Sequence, residues 1–513
     1  MPESSAQPYR LPGDVPSESH PHSTTAILAV IALATVLMHW FLGARYGFHR
    51  DELATLDDAR HLAWGYVAYP PVTPSFGHLS LILFGTSLAG FRFFASLAQA
   101  VAVVIAGLIA RELGGGRGAQ LVAAVAAAPF SIAAGNLMQY VSFDFLLWVL
   151  AAYFVARLLK NNDPRWWLAI GAAIGMGMMT KYTMGFFALG IVAGVLATGA
   201  RRYLRSKWIW WGVVLSIVIF LPNVIWQAQH HFVSLDFLKH IHARDVRIGR
   251  TKDFLPDQLK ITLLAFPLWV AGLYFCLISR DGRRFRMLGW MYVVPLVLFV
   301  VAKGRGYYMG GAYPMLYAVG AVWGEQRLRS FGRSLRMAVR GLAWTALLVD
   351  AVFLSVIAMP AARVNSPRWN FAVKYNGDLR EEVGWPELTQ KVAQIRDSLP
   401  TQDRARLGIL AGNYREAGAI DLYGPQYALP LAISGIDSFW YRGYGNPPPE
   451  TLIVLGISRQ FLDRNFSSCE LSAHTPNPYG IEDEETRDYP DIYVCRVLKQ
   501  SWPEFWKNFQ YYG

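Results

Sequence analysis

Long apolar blocks alternate with short polar ones along most of this chain. Eleven such blocks lie near 26–44, 91–110, 117–134, 144–159, 166–179, 183–199, 208–226, 259–279, 287–302, 312–328 and 339–359. Most are close to the length that crosses a ~30 Å hydrocarbon core at ~1.5 Å rise per residue. The pattern predicts a polytopic α-helical membrane protein with about 11 transmembrane helices over residues 26–360. Two polar stretches, 45–90 and 227–258, interrupt it as larger outer loops. The rhythm changes after about residue 360. ARLGILAG, LPLAISGI, ETLIVLGI and DIYVCRVL are apolar runs of strand length, and 386–398 and 415–423 read as helices. Residues 361–513 are therefore expected to form a C-terminal extracytoplasmic α/β domain. Residues 1–25 are rich in Ser, Pro and His without apolar periodicity, and read as a disordered cytoplasmic tail. The first apolar block is too long for a signal-peptide core and reads as an anchor.

The charge pattern orients the chain. Hydrophobic residues make up 53% of it, and the net charge is +12. With the N-terminus in the cytoplasm, the basic residues collect in alternate loops. These carry Arg111 and Arg117; Lys160 and Arg165; Arg201, Arg202 and Arg205; Arg283, Arg284 and Arg286; and Arg329, Arg333 and Arg336. That is the positive-inside bias, so the basic charge sets topology and touches anionic lipid, and nucleic acid is not an expected partner. The expected location is the cytoplasmic (inner) membrane, multi-pass, with the C-terminal domain periplasmic.

The same topology puts the unusual charges on the outer side. Asp51 and Glu52 follow the first span, and Asp144 opens the fourth. Lys181 ends the fifth, and Lys303, Arg305, Tyr307 and Tyr308 follow the ninth. Polar groups held against a membrane are costly and tend to mark a site. A carboxylate can take a proton from an acceptor hydroxyl, and Lys, Arg and Tyr can stabilise a departing phosphate oxygen. Asp51, Glu52 and Asp144 are thus the catalytic candidates. Lys181, Lys303, Arg305, Tyr307 and Tyr308 are the substrate-binding ones, joined by His49, Arg50, Tyr69, Pro70 and Pro71 of the first loop. The competing reading makes these residues interfacial snorkelling groups and helix caps.

The cysteines and histidines add less. Cys276 reads as a small core residue within a span. Cys469 and Cys495 both fall in the outer domain, where disulfides persist, and are expected to pair. His230, His231, His240 and His242 crowd the second outer loop, so a divalent metal is possible. The spacing of His240 and His242 suits a strand, not one helix face.

Three stretches carry a family resemblance: HRDELATLDDARHLAWGYVAYPPVTP, ARELGGGRGAQ and KGRGYYMGGAYPMLYAVGAVWGE. GNYREAGAIDLYG and GIDSFWYRGYG add to it in the outer domain. With them the chain resembles bacterial glycosyltransferase family 39, of the GT-C fold. That family is related to protein mannosyltransferases and to lipid A aminoarabinose transferases. The resemblance implies a polyprenyl-phosphate sugar donor, an inverting transfer on the outer face, and a lipid, glycan or protein acceptor in the cell envelope. It implies that Asp51 is the base or acceptor-orienting carboxylate and that Asp144 supports it. The lipid A transferases carry a basic residue just before the double proline. Here that slot is Tyr69, so the phosphate passes to Lys181, Lys303 and Arg305. The alternative class is a lipid or sugar transporter or flippase without transferase chemistry. Such proteins place their polar groups at midplane between inverted repeats.

Overall fold

The computed structural model describes residues 21–513. Most of the expected cytoplasmic tail lies outside the described residues, and residues 21–25 already belong to the first helix. The helical part begins with α1 (Pro21–Leu42), α2 (Arg50–Arg60), α3 (Val72–Phe84) and α4 (Leu88–Phe91). It continues with α5 (Phe93–Glu112), α6 (Arg117–Ala134), α7 (Tyr140–Asn161), α8 (Trp166–Met178), α9 (Met184–Ala197) and α10 (Lys207–Gln229). It ends with α11 (Val233–Arg247), α12 (Phe254–Thr262), α13 (Phe266–Leu277), α14 (Arg286–Val301), α15 (Tyr313–Leu328) and α16 (Arg333–Ala358).

All eleven predicted blocks are helical, but they differ in length. Among the described residues, eight helices are long and apolar enough to cross a membrane, or nine if α9 is joined to Gly199–Arg205 across a 99° bend. The prediction of about 11 counted α8, α9 and α15 as full spans. At 13 residues α8 is ~20 Å long, short of a full crossing. α15 carries Glu325 and Arg327 near its end, and its residues 313–322 are all buried, so it runs inside the bundle away from lipid. By contrast α10 and α16 expose most of their apolar surface, including Trp211, Ile217, Leu342 and Val352. These are faces made for lipid.

Small residues bring the helices close. A Cβ on Gly171 of α8 would meet Gly212 O of α10 at 2.0 Å, and one on Gly320 of α15 would meet Leu268 O of α13 at 1.9 Å. Such contacts are how helices pack where lipid removes the hydrophobic drive. The break between α12 and α13 packs against α16, which carries the buried Asp350.

The two ends of the bundle differ in chemistry. At one end Arg284 donates to Leu159 O and Lys160 O, Lys160 pairs with Glu112, and Arg202 bonds Asn162. The predicted arginine-rich loops therefore share one face. The other end carries α2, α11 and the C-terminal domain. The stretch 227–258, expected as a loop, is mostly the helices α11 and α12.

The C-terminal domain holds α17 (Pro367–Tyr375), a 3₁₀ turn Gly377–Glu382, α18 (Trp385–Ser398), α19 (Thr401–Ala405), α20 (Tyr414–Tyr423), α21 (Arg459–Asn465), α22 (Glu484–Arg487) and α23 (Trp502–Lys507). They surround one five-stranded sheet, ordered β2-β1-β3-β5-β4. Its strands are β1 (Leu407–Ala411), β2 (Ala432–Ile433), β3 (Thr451–Leu455), β4 (Phe466–His474) and β5 (Asp491–Leu498). The first three are parallel, and the last two join antiparallel. Cys469 and Cys495 face each other across β4 and β5, with Cα atoms 4.1 Å apart, and form a disulfide. Cys276 is a free, buried thiol.

The domain sits on α2. Gly418 of α20 lies against Leu53, where a Cβ would come within 2.7 Å. Arg60 donates to Asp421 O at 3.0 Å. One apolar core joins Phe48, Leu53 and Leu56 to Trp385, Leu388 and Ile420. The first outer loop is thus clamped between the helical bundle and the sheet.

Candidate functional site

The site grows from the start of α2. His49 caps the helix: its ring accepts from Asp51 N, and its own N–H donates to Glu52 at 2.9 Å. Two acids in the first turn also suit the positive end of the helix dipole. Successive helical side chains diverge by ~100°, so Asp51 and Glu52 face different surroundings.

Glu52 is 0% exposed. It takes Arg92 Nε at 2.8 Å and Nη2 at 2.5 Å, and the backbone N–H of Met138 at 2.8 Å. Arg92 also binds Gly43 O and lies 3.5 Å from Glu382 of the C-terminal domain. Burial, with repulsion from Glu52 against the pull of Arg92, raises Glu382 to about 8. Both Glu52 oxygens are occupied within this clamp.

The Asp51 side chain is 42% exposed. One oxygen accepts from the Tyr414 hydroxyl at 2.9 Å, the other from the Gln139 amide at 2.9 Å. Arg50 Nε stands 3.7 Å away. Burial acts to raise this carboxyl, but His49, Arg50, the Tyr414 bond and Arg415 outweigh it and hold it below its ordinary value. Asp51 stays ionised across the neutral range.

Next to Gln139, Tyr140 opens α7 and leads to Lys181. The Lys181 ammonium lies over three rings: Tyr308 at 4.0 Å, Tyr140 at 4.9 Å and Tyr307 at 5.0 Å. Among the described residues it forms no direct ion pair. Burial lowers its pKa, helped by Arg305 and opposed by Asp144. Asp144, 7% exposed, accepts from Trp148 at 3.0 Å and Thr183 at 3.3 Å. Arg305 donates to Asp245 of α11 at 2.5 Å. Tyr307 and Tyr308 are pushed well up, first by burial and then by neighbouring tyrosines.

The first loop supplies the remaining wall. The Tyr69 ring packs 5.8 Å from Tyr140, and its hydroxyl donates to Asp58 at 2.8 Å. Arg442 of the C-terminal domain bridges Asp57 and Asp58, both at 2.9 Å. Burial and the neighbouring Asp57 raise Asp58 against the pull of Arg442. Pro70 and Pro71 are buried, and the turn they form lets Val72 N donate to Met179 O beside Lys181. Arg50 pairs with Glu484 at 3.1 Å, away from the tyrosines. Lys303 is exposed, with φ 48°, and makes no ion pair among the described residues.

The fold therefore brings Asp51, Tyr69, Asp144, Lys181, Arg305, Tyr307 and Tyr308 to one face and leaves Lys303 at its rim. Sequence reasoning missed Gln139, Tyr140, Tyr414, Arg442 and Asp245. GNYREAG and the phrase around Arg442 were noticed only as family-like stretches; the signal that would have singled them out is tyrosine or arginine at a strand or turn exit facing the acidic α2. Among the described residues no group of three or more His, Cys, Asp or Glu is placed to hold a metal. His240 and His242 stand on α11, a helix where a loop was expected, and His230 stacks on Trp226 at 3.9 Å.

The comparisons agree with this architecture. A solved structure, ArnT from Cupriavidus metallidurans bound to undecaprenyl phosphate, aligns with TM-score 0.57 and 17% identity over 91% of this chain and 98% of that one. This is a GT-C membrane protein similar to glycosyltransferase family 39. Residues 68–226 match the profile described as dolichyl-phosphate-mannose-protein mannosyltransferase. An undecaprenyl phosphate-α-4-amino-4-deoxy-L-arabinose arabinosyl transferase of Pseudomonas fluorescens is 27% identical over 50% of this chain and 48% of its own length. The lipid A galacturonosyltransferase RgtD of Rhizobium johnstonii is 24% identical over 64% of this chain and 71% of its own. The family-39-like chain thus aligns with about half the length of the arabinosyl transferases it matches.

Proposed function

We propose that the protein is a membrane glycosyltransferase that moves a sugar from a polyprenyl-phosphate donor to an acceptor hydroxyl or phosphate at the outer face of the inner membrane. One observation carries this reading. An ionised, partly exposed carboxylate, Asp51, stands on the same face as Lys181, a part-buried cation lying over three tyrosine rings and in no direct ion pair among the described residues. The carboxylate suits an acceptor, and the cation suits a phosphate. The names of the relatives, which act with undecaprenyl-phosphate sugars or on lipid A, support the same substrates.

In this mechanism Lys181 and Arg305 receive the donor phosphate, with Tyr307 and Tyr308 donating hydroxyl hydrogen bonds. Asp51 orients the acceptor oxygen. That oxygen bonds to the anomeric carbon as the carbon–phosphate oxygen bond breaks. Polyprenyl phosphate leaves with the electron pair, and the anomeric centre inverts. Because Asp51 is held low, it works more by orientation and charge than as a strong base. A hydroxyl acceptor passes its proton to Asp51; an ionised phosphate acceptor has none to pass. Asp144 keeps Lys181 charged. Glu52 serves as a structural pin, and Lys303 is peripheral. The polar groups gather at one end of the bundle, which favours transfer over a flippase with its site at midplane.

The test is transfer by the purified protein from isotope-labelled polyprenyl-phosphate sugars, followed by mass spectrometry. Release of polyprenyl phosphate with a glycosylated acceptor is expected; no turnover with any lipid-linked sugar rejects the reading. Orientation has its own test. A cysteine at Lys239 reacts with an impermeant thiol reagent in intact cells, and one at Arg333 only after lysis. The reverse pattern would put the cleft in the cytoplasm.

A further inference from the structure

A second cavity, of about 210 Å³, lies away from the cleft, where the outer ends of α6 and α16 meet α17 and the turn Gly377–Glu382. Ala133, Leu137, Leu354 and Ile357 form its apolar walls, Asn136 and Glu382 its polar part, and Tyr375 and Asp378 its exposed rim.

The polar part holds two buried acceptor oxygens without a hydrogen bond. Asn136 is 4% exposed; its amide nitrogen donates to Ala358 O, and Oδ1 has no partner. Glu382 is 1% exposed, and its Oε2 has no hydrogen bond. Arg92, 3.5 Å away, directs its hydrogen bonds to Glu52 and to Gly43 O and Gly47 O. One guanidinium thus faces two buried carboxylates. Asp378 adds a third acid, and no Lys or Arg lines the space. What the cavity lacks is positive charge: its polar donors are the neutral Asn136 and Asn376 amides and the Tyr375 hydroxyl. Sharing one guanidinium with Glu52, Glu382 holds its proton more tightly than usual, and a cation entering the cavity favours its ionised form. A divalent ion needs more oxygen ligands than these walls offer. The apolar side includes Leu354 and Ile357 of α16, a helix whose other face exposes Leu348, Val349 and Val352.

We propose that this cavity binds the primary ammonium of an aminophospholipid headgroup, with its chains along α16 and the Tyr375 ring at the mouth. The transfer reaction plays no part in this site.

Native mass spectrometry of the full chain, ejected from nanodiscs of phosphatidylglycerol mixed with equal phosphatidylethanolamine or phosphatidylcholine, tests it. The trimethylated choline head lacks ammonium donors. Retained phosphatidylethanolamine is expected to exceed phosphatidylcholine by about tenfold, the scale of one or two charge-assisted hydrogen bonds. Glu382→Gln removes the carboxyl that an ammonium would ionise, and Leu354→Trp fills the cavity from the α16 side without touching Arg92; each brings the ratio to about one on the same scale. Free ethanolamine raising the melting temperature of lipid-free protein, with loss of that rise in Leu354→Trp, supports the ammonium chemistry with a soluble source. Equal retention of the two lipids, or a preference that survives both substitutions, overturns the proposal.

Discussion

Arg92 and Lys181 are both cations drawn into the same end of the helical bundle, and they are held in opposite ways. Arg92 is 3% exposed and locked between Glu52, Glu382 and two backbone carbonyls. Its charge is answered by the protein itself. Lys181 meets three aromatic faces and only a distant carboxylate. Ring faces return ~0.5–2 kcal/mol to a cation, less than a paired carboxylate returns in a buried site. An ammonium so placed keeps attraction to spare for an incoming anion. The acids divide likewise: Glu52 has every oxygen occupied, while Asp51 keeps part of its surface open. A charge that the fold completes is architecture; one that the fold leaves partly unanswered is where a charged substrate fits.

Breaking the Arg92 side of this contrast should have the largest effect. Arg92→Ala leaves two buried carboxylates without a counter-ion, a loss of about 3–5 kcal/mol. Size-exclusion profiles and thermal unfolding in detergent should show loss of the folded form. An unchanged melting temperature would mean that the clamp is not structural. The clamp also predicts a pH trend. Glu382 ionises near 4.5 when unfolded and about 8 when folded, so the unfolded state sheds its proton first. Stability from this group is full below pH 4.5, declines as the pH rises toward about 8, and the decline is absent in Glu382→Gln.

The other side is chemical. Asp51→Asn should lower transfer roughly 10²–10⁴-fold with the melting temperature preserved. Glu52→Gln should do the reverse and unsettle folding first. If both substitutions moved the same quantity, the division between the two acids would collapse.

Lys181 sharpens the contrast through titration. In the proposed mechanism the charged ammonium holds phosphate, and burial lowers its pKa to about 8. Donor affinity should be full well below that value and fall as the pH rises through it. Lys181→Ala should flatten this profile and raise the donor KM more than the acceptor KM. An acceptor-selective defect would move the phosphate elsewhere.

The smallest effect belongs to Tyr414. Tyr414→Phe removes one hydrogen bond to Asp51, about 0.5–1.5 kcal/mol. Asp51 should rise toward its ordinary value, and the acidic limb of the rate profile should shift upward in pH. A pure stability change with an unmoved profile would make Tyr414 a packing residue.

Much of this fold is written in the apolar runs. Spans α5, α6 and α7 and the strands β1, β3 and β5 follow directly from blocks of buried residues. β4 was not predicted, because FSSCELSAH lies at the sheet edge and buries little beyond Phe466. α11 reads as a polar loop, since it packs sideways with Leu235 and Leu238 exposed and buries mainly Val233, Ser234 and Asp245. The residue types of the site were legible from their position at span ends. Their division of labour was not. Asp51 and Glu52 are neighbours in sequence, and only the arrival of Arg92 on one side and Tyr414 on the other separates them. Lys303 and Arg305 look equivalent as text; Asp245, sixty residues away, selects Arg305.

The helix that carries Asp51 is gripped by residues made long after it. Tyr414 lies 363 positions downstream, and Arg442 lies 385 beyond Asp57. On a ribosome the helix emerges more than 360 residues ahead of these partners. For most of that interval the acidic loop is an unfinished part, lacking the hydroxyl that fixes its carboxylate and the arginine that neutralises its far end. Assembly of the site is thereby tied to synthesis of the sheet domain: a chain stopped before the sheet forms carries its carboxylate, its lysine and its lipid-facing helices, yet not the contacts that fix them.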